Sequence, residues 1–378
     1  MTSNELLKFR LIEFDSIRVD ADFFLNLMLQ LNSYKSSGIL VFGLVPFLSL
    51  FVVETYNYLQ NTLPAYATAL SKPYERIIRS SRMRTKFFDD SANRVDGMFE
   101  LLSWVTQFHH EWHIGRHKGF LGPIKKALQD DLGIFVYDSH IIGSTHTGLI
   151  NLGFEKGYLP TTDKEISATI GSLSQSIGVE IGSYIARLSQ WPEFAFDRSN
   201  TSCFAYMIDD EKLGYKDERS IRYFSSIFNG SGVIEINFSL LLFLATTNYL
   251  RFIFKQLVTD SPVTLFKLKF ITLHHLSSSI EKLRNYYYPK GVLTDRSKKY
   301  FQAILEDKDL ESIKRQSMLR NILVHYKIGG VPDNSLSYTA KLYGLVEYFI
   351  NGATYDDVNK KMDDQITRVS LLLEEWLN

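Results

Sequence analysis

Apolar residues recur at helical spacing along most of this chain, and runs that alternate apolar with polar are scarce. The pattern predicts helices over residues 5–35 and 38–62, the second interrupted around Pro46, and another over 95–117. Residues 72–94 are polar and basic, with Lys72, Arg76, Arg79, Arg82, Arg84 and Lys86, and read as a helix end and an exposed loop. From Gly119 to Pro160 glycines are frequent and the period weakens, which indicates irregular structure with room for a short hairpin. Thr162-Asp163-Lys164-Glu165 has the form of a capping box that starts a helix running to about Gln190.

The charged stretch from Asp209 ends in Asn229-Gly230-Ser231-Gly232, the best boundary signal in the chain. Beyond it the periods predict helices over 235–258, 262–287, 309–327, 336–351 and 355–377. Pro262 suits a helix start, and Gly329-Gly330-Val331-Pro332 a stop. Thr354 with Asp357 gives the last helix a capping pair, and Ile366, Val369, Leu372, Leu373 and Trp376 form its apolar stripe. Helix 262–287 is apolar on more than one face, so it is either central or packs on a second subunit. The fold class read from this is all-α: a mostly helical N-terminal domain, 1–228, and a C-terminal four- or five-helix bundle, 233–378.

Composition narrows the picture. The 378 residues are 45% hydrophobic and 22% charged, enough apolar mass for a sizeable core. Lys plus Arg equals Asp plus Glu at 42 each, which argues against a broad basic coat and leaves room only for a local basic pocket. The single cysteine, Cys203, excludes a disulfide framework and agrees with a cytoplasmic location. Residues 1–20 lack a basic segment followed by an apolar run, so no signal peptide is expected. The sixteen residues Gly38 to Val53 are broken only by Ser49. They fall short of the roughly 20 that span a bilayer and read as a core helix, with no membrane contact.

The chemistry concentrates in Arg320-Asn321-Ile322-Leu323-Val324-His325, on a helix whose core stripe is Leu319, Ile322, Leu323 and Tyr326. Asn321 and His325 are four apart and share a face, while Arg320 starts about 140° from His325 but has a long side chain. Arginine is a permanent cation with a planar donor fork, and histidine exchanges protons near neutral pH. Together they can hold a phosphodiester and move a proton without a metal. The ordinary alternative is a polar helix face that happens to carry these residues.

This segment resembles the signature of the HEPN superfamily, all-helical bundles with an arginine, a polar residue, a short spacer and a histidine. It is most similar to the HEPN ribonuclease toxins and defence proteins. The resemblance implies that 233–378 is a HEPN-like bundle and that the chain is a metal-independent endoribonuclease of a toxin or antiviral defence system. It also implies that Arg320 and His325 are the catalytic pair, with Asn321 supporting them. RNA is then the partner, no cofactor is needed, and a homodimer brings two motifs to one composite site. An antitoxin or defence-system partner is implied in the same way. RNA carries its own nucleophile, the 2′-hydroxyl, so positioning and proton transfer suffice.

Two other readings stay open. The bundle could be a non-catalytic RNA- or protein-binding scaffold. Alternatively His109, His113 and His117, spaced i, i+4, i+8, could present ligands to a metal ion, although Glu111 points away from that face. The basic run Lys72 to Lys86 reads first as a solvated face, and His274 and His275 as core-edge histidines.

Overall fold

Periodicity becomes helix over most of the chain. The computed structural model describes residues 3–31, 37–85, 95–115, 129–153, 163–195, 208–229, 233–258 and 262–378, together with Gly122. In the first half these form α1 (Ser3–Leu31), α2 (Ser37–Thr62), α3 (Pro64–Leu70), α4 (Glu75–Thr85) and α5 (Val95–His110), which runs on into a π-turn, Glu111–Gly115. Strands β1 (Leu132–Tyr137) and β2 (His140–Ser144) follow, then α6 (Thr145–Asn151), α7 (Asp163–Leu188), β3 (Leu213–Glu218) and α8 (Ser220–Ser226). The second half holds α9 (Ile234–Asn248, prolonged by a π-turn at Tyr249–Phe254), α10 (Val263–Tyr287), α11 (Asp295–Leu305), α12 (Lys308–Arg315), α13 (Ser317–His325), α14 (Leu345–Phe349) and α15 (Tyr355–Leu377).

The protein is mostly helical, and the all-α expectation needs one correction. A three-stranded antiparallel sheet, ordered β2-β1-β3, lies against the helices. The hairpin β1–β2 falls where the period weakened, but β3 arises in the charged stretch read as a linker. Its partner is 82 positions away, Ile134 opposite Lys216, so no local pattern announces it. Asp131 secures the arrangement by accepting from Ser220 N and Oγ at 2.7 and 2.8 Å.

Four helix boundaries also differ, each for a physical reason. Helix α2 is not interrupted at Pro46. Proline lacks the N–H that would bond the carbonyl four residues back, and that carbonyl, Phe42 O, instead accepts from Asn151 Nδ2 at 3.0 Å. The expected helix 309–327 is two, broken at Gln316 (ψ 54°). Continued unbroken from buried Leu310 and Ile313, it would carry Ser317 and Arg320 into the core; the break rotates Leu319, Ile322 and Leu323 inward instead. Much of 336–351 is turn, because Leu342 and Tyr343 take left-handed backbone (φ 47° and 58°) that buries both side chains. Helix α11, which the periods did not single out, starts with Thr294 Oγ1 accepting from Ser297 N at 3.1 Å.

One continuous apolar core draws on residues from both halves, from Phe9 and Leu27 to Phe270, Leu323 and Trp376. Helix α10 runs through its middle and is buried nearly all round, so its breadth of apolar surface is covered within the chain and gives no support to a dimer. Helix α15 has both bonds of the Thr354–Asp357 capping box. Two helical stretches, Gly38–Thr62 and Ile234–Leu257, are long and apolar enough to cross a membrane, yet 67% and 89% of their most apolar windows are buried inside the protein.

Candidate functional site

Helix α13 is nine residues long, and His325 is its last. Leu319, Ile322, Leu323 and Val324 anchor it in the core. Tyr326 then turns left-handed (φ 60°) and donates its N–H to Ile322 O, so the chain leaves the helix sharply and His325 stays at the surface. A left-handed tyrosine is strained, and burial of its ring with a polar network holds it there. Its hydroxyl donates to Asp20 Oδ2 at 2.8 Å, and Asp20 also accepts from Thr264 Oγ1 at 2.6 Å and Lys267 Nζ at 2.9 Å. Burial, then the Asp20 charge, pushes the Tyr326 phenol far up, so it remains a donor.

A second carboxylate of α1 fixes the next turn. Glu13 accepts from Ile328 N at 2.7 Å and from Tyr58 OH at 2.6 Å. Burial raises the Glu13 carboxyl, while those two hydrogen bonds and the charges of Lys327 and Arg10 oppose the rise. Residues 326–328 are therefore pinned to α1 at two points, and the pinning sets where His325 projects.

His325 meets Glu54 of α2, Nδ1 to Oε2, at 2.6 Å. The imidazole is 50% exposed and the carboxyl 13%. An ionised carboxyl only accepts, so Nδ1 carries the proton and Nε2 is left as the basic atom. The pair opens on a cleft of about 690 Å³ walled by α1, α2 and the turn after α13, with Arg10, Asn57, Asn61 and Lys327 among its lining.

Arg320 does not use the length of its side chain to reach the cleft beside His325. It is half-buried, does not line the cleft, and donates from Nη1 to Asn321 Oδ1 at 2.8 Å. Its charge acts on Glu54 and on buried His274, whose pKa is driven down to about 4 by burial, then by Arg320 and Lys314. Glu54 is thus the residue shared by the motif's cation and its histidine. Asn321 is exposed and serves as the acceptor for Arg320.

The other candidates scatter. His109 and His113 do share a face, but their rings stack, centroids 5.8 Å apart and 11° from parallel. His109 also stacks on His146 at 4.1 Å. Stacked imidazoles aim their nitrogens past one another rather than at a common point. Among the described residues no three His, Cys, Asp or Glu side chains are grouped to hold a metal ion. His117 and Cys203 lie outside the described residues. In the basic run, Arg79 pairs with Glu75 at 3.5 Å, and the side chains of Arg84 and Lys86 lie outside the described residues. His274 and His275 are both buried in the core.

Sequence reasoning missed Glu54, Glu13 and Asp20. Only Glu54 left a trace, as the first charged residue after the apolar run that ends at Val53. No family model, curated protein or solved structure matches this chain.

Proposed function

We propose that the protein is a metal-independent endoribonuclease of HEPN type that cuts single-stranded RNA in the cleft beside His325. The observation that carries the reading is the His325–Glu54 pair at 2.6 Å, open to a cleft large enough for nucleotides. Held by Glu54, the imidazole presents Nε2 to take the proton of a 2′-hydroxyl. The 2′-oxygen then attacks phosphorus, the P–O5′ bond breaks, and a 2′,3′-cyclic phosphate remains. The leaving 5′-oxygen needs a proton, and a two-fold dimer that brings His325 of a second copy to the same phosphate supplies it. Arg320 acts from behind, as the counter-charge that steadies Glu54. A cytoplasmic role in a toxin or antiviral defence system, with a cognate antitoxin or defence partner, belongs to this proposal through the motif's resemblance.

A second reading, an RNA- or protein-binding scaffold, is favoured by one observation: Arg320 does not reach the cleft wall. Purified protein incubated with single-stranded RNA in EDTA separates the two. Cyclic-phosphate ends that disappear in His325→Gln support the nuclease; binding without cleavage supports the scaffold. Cleavage only with added divalent ion sinks the acid–base mechanism.

A further inference from the structure

We infer that the cleft holds a second phosphate of the RNA, one nucleotide from the scissile one, between Arg10 and Lys327. The inference rests on the nuclease reading and adds to it a subsite supplied by the N-terminal helix.

The argument starts from how α1 and α2 run. Phe24 packs against Phe51, ring centroids 5.2 Å apart, and Phe14 against Tyr58 at 6.2 Å. As numbers fall along α1 they rise along α2, so the helices are antiparallel. That register places Arg10 level with Asn61 and Thr62, seven or eight residues past Glu54. At 1.5 Å per residue the separation along the cleft is about 10 Å. Such a length holds one further nucleotide step beyond His325, not a long tract. The α2 wall between these points is polar, with Asn57, Tyr58, Asn61 and Thr62 following Glu54.

The charges fit a phosphate in that place. Arg10 and Lys327 are both exposed, and neither has an ion-pair or hydrogen-bond partner among the described residues. Both line the cleft and both act on the same carboxyl: Arg10 lies one helical turn from Glu13 on α1, and Lys327 adjoins Ile328, whose N–H Glu13 accepts. Glu13 does not use them up, because its two oxygens already accept from Tyr58 and Ile328 N. Unlike Lys8, which pairs with Asp333, these two cations line the cleft itself. Beyond Arg10, half-exposed Leu6 and buried Phe9 offer an apolar end against which a base can rest. A chain with zero net charge can bind a polyanion only through such a local pocket.

The test measures binding apart from cleavage. A fluorescent single-stranded tetranucleotide with 2′-O-methyl groups lacks the nucleophile and cannot be cut. Its affinity for the full chain is followed by anisotropy across a KCl series. For single strands each phosphate contact contributes about 0.7 to the slope of log K against log salt. Arg10→Gln and Lys327→Gln together should lower that slope by about 0.7, the loss of one phosphate, and weaken binding several-fold at low salt. Lys299→Gln, an exposed cation on α11, should leave both unchanged. An unchanged slope in the double variant, with the unaltered chain binding and cleaving RNA, overturns the subsite and leaves the nuclease reading standing. No binding and no cleavage by the unaltered chain overturns both.

Discussion

His325 Nδ1 stands 2.6 Å from Glu54 Oε2, joining positions 271 residues apart. In the proposed nuclease the motif helix would supply the base, and a helix from the other end of the chain would orient it. Removing the carboxylate while keeping its shape isolates that orientation. Glu54→Gln should cut the rate of RNA cleavage about 10²-fold, within the range that acid–base catalysis contributes. The imidazole should also lose its fixed tautomer, which ¹⁵N NMR of labelled histidine reads without any substrate. A variant with full rate and an unaltered His325 tautomer excludes the orienting role.

The buried pair Asp20–Lys267 is exposed by only 3% and 4% at its side chains. Breaking such a pair strands a charge away from water, typically costing about 3–5 kcal/mol. Asp20→Asn is expected to lower unfolding free energy by that amount in urea titration. Tyr326→Phe removes one hydrogen bond to the same carboxyl and should cost about 1 kcal/mol. Equal losses in the two variants refute the assignment of Lys267 as the group left stranded.

Gly43 is required by packing rather than by backbone conformation. A Cβ there would stand 2.4 Å from Cε2 of Tyr249. That ring is almost fully buried and tied by its hydroxyl to Leu40 O at 2.6 Å, so it cannot move aside. Gly43→Ala gains up to about 1 kcal/mol of helix propensity but incurs overpacking of about 1–3 kcal/mol. The net expectation is a lower melting temperature, checked by calorimetry; a stabilised variant contradicts the packing.

Acid should destabilise the protein through three buried histidines. Burial, and then neighbouring charge, lowers His109 to about 3 and His274 to about 4, and drives His146 well down. Above pH 6.5 these rings are neutral folded or unfolded. As the pH falls below 6.5 the unfolded chain takes up protons that the folded one refuses. Stability is then lost at up to about 1.4 kcal/mol per pH unit for each ring. The loss continues until the folded values are reached. Glu13, raised by burial, works in the opposite direction, one group against three. Urea midpoints at pH 7, 6 and 5 should fall steadily, and His109→Phe should show a shallower fall. A flat profile rules out neutral burial of these rings.

Several features were legible from neighbours along the chain. The stripe Leu319, Ile322, Leu323 and Tyr326 is buried as its spacing demands. The capping pair of Thr354 and Asp357 and the span of α15 follow from residues three or four apart, whose interactions hardly depend on the rest of the fold. Helix α10 declared by its apolar breadth that something covers it, and left open whether that cover is its own chain.

What the sequence determined by itself is therefore the helical character of most segments, the inward face of several helices, and the motif's arginine, asparagine and histidine. These depend on contacts within one or two turns. Only the tertiary structure decided that Glu54 meets His325, that Asp20 and Glu13 hold the turn behind it, and that Arg320 lies off the cleft. It also decided the strand Leu213–Glu218 and the unbroken path of α2 through Pro46. Each depends on a partner from a distant part of the chain, such as Tyr326 for Asp20 or Asn151 for Phe42. A polar side chain gives no local sign of its partner, because hydrogen bonds and ion pairs reward proximity in space whatever the separation along the chain.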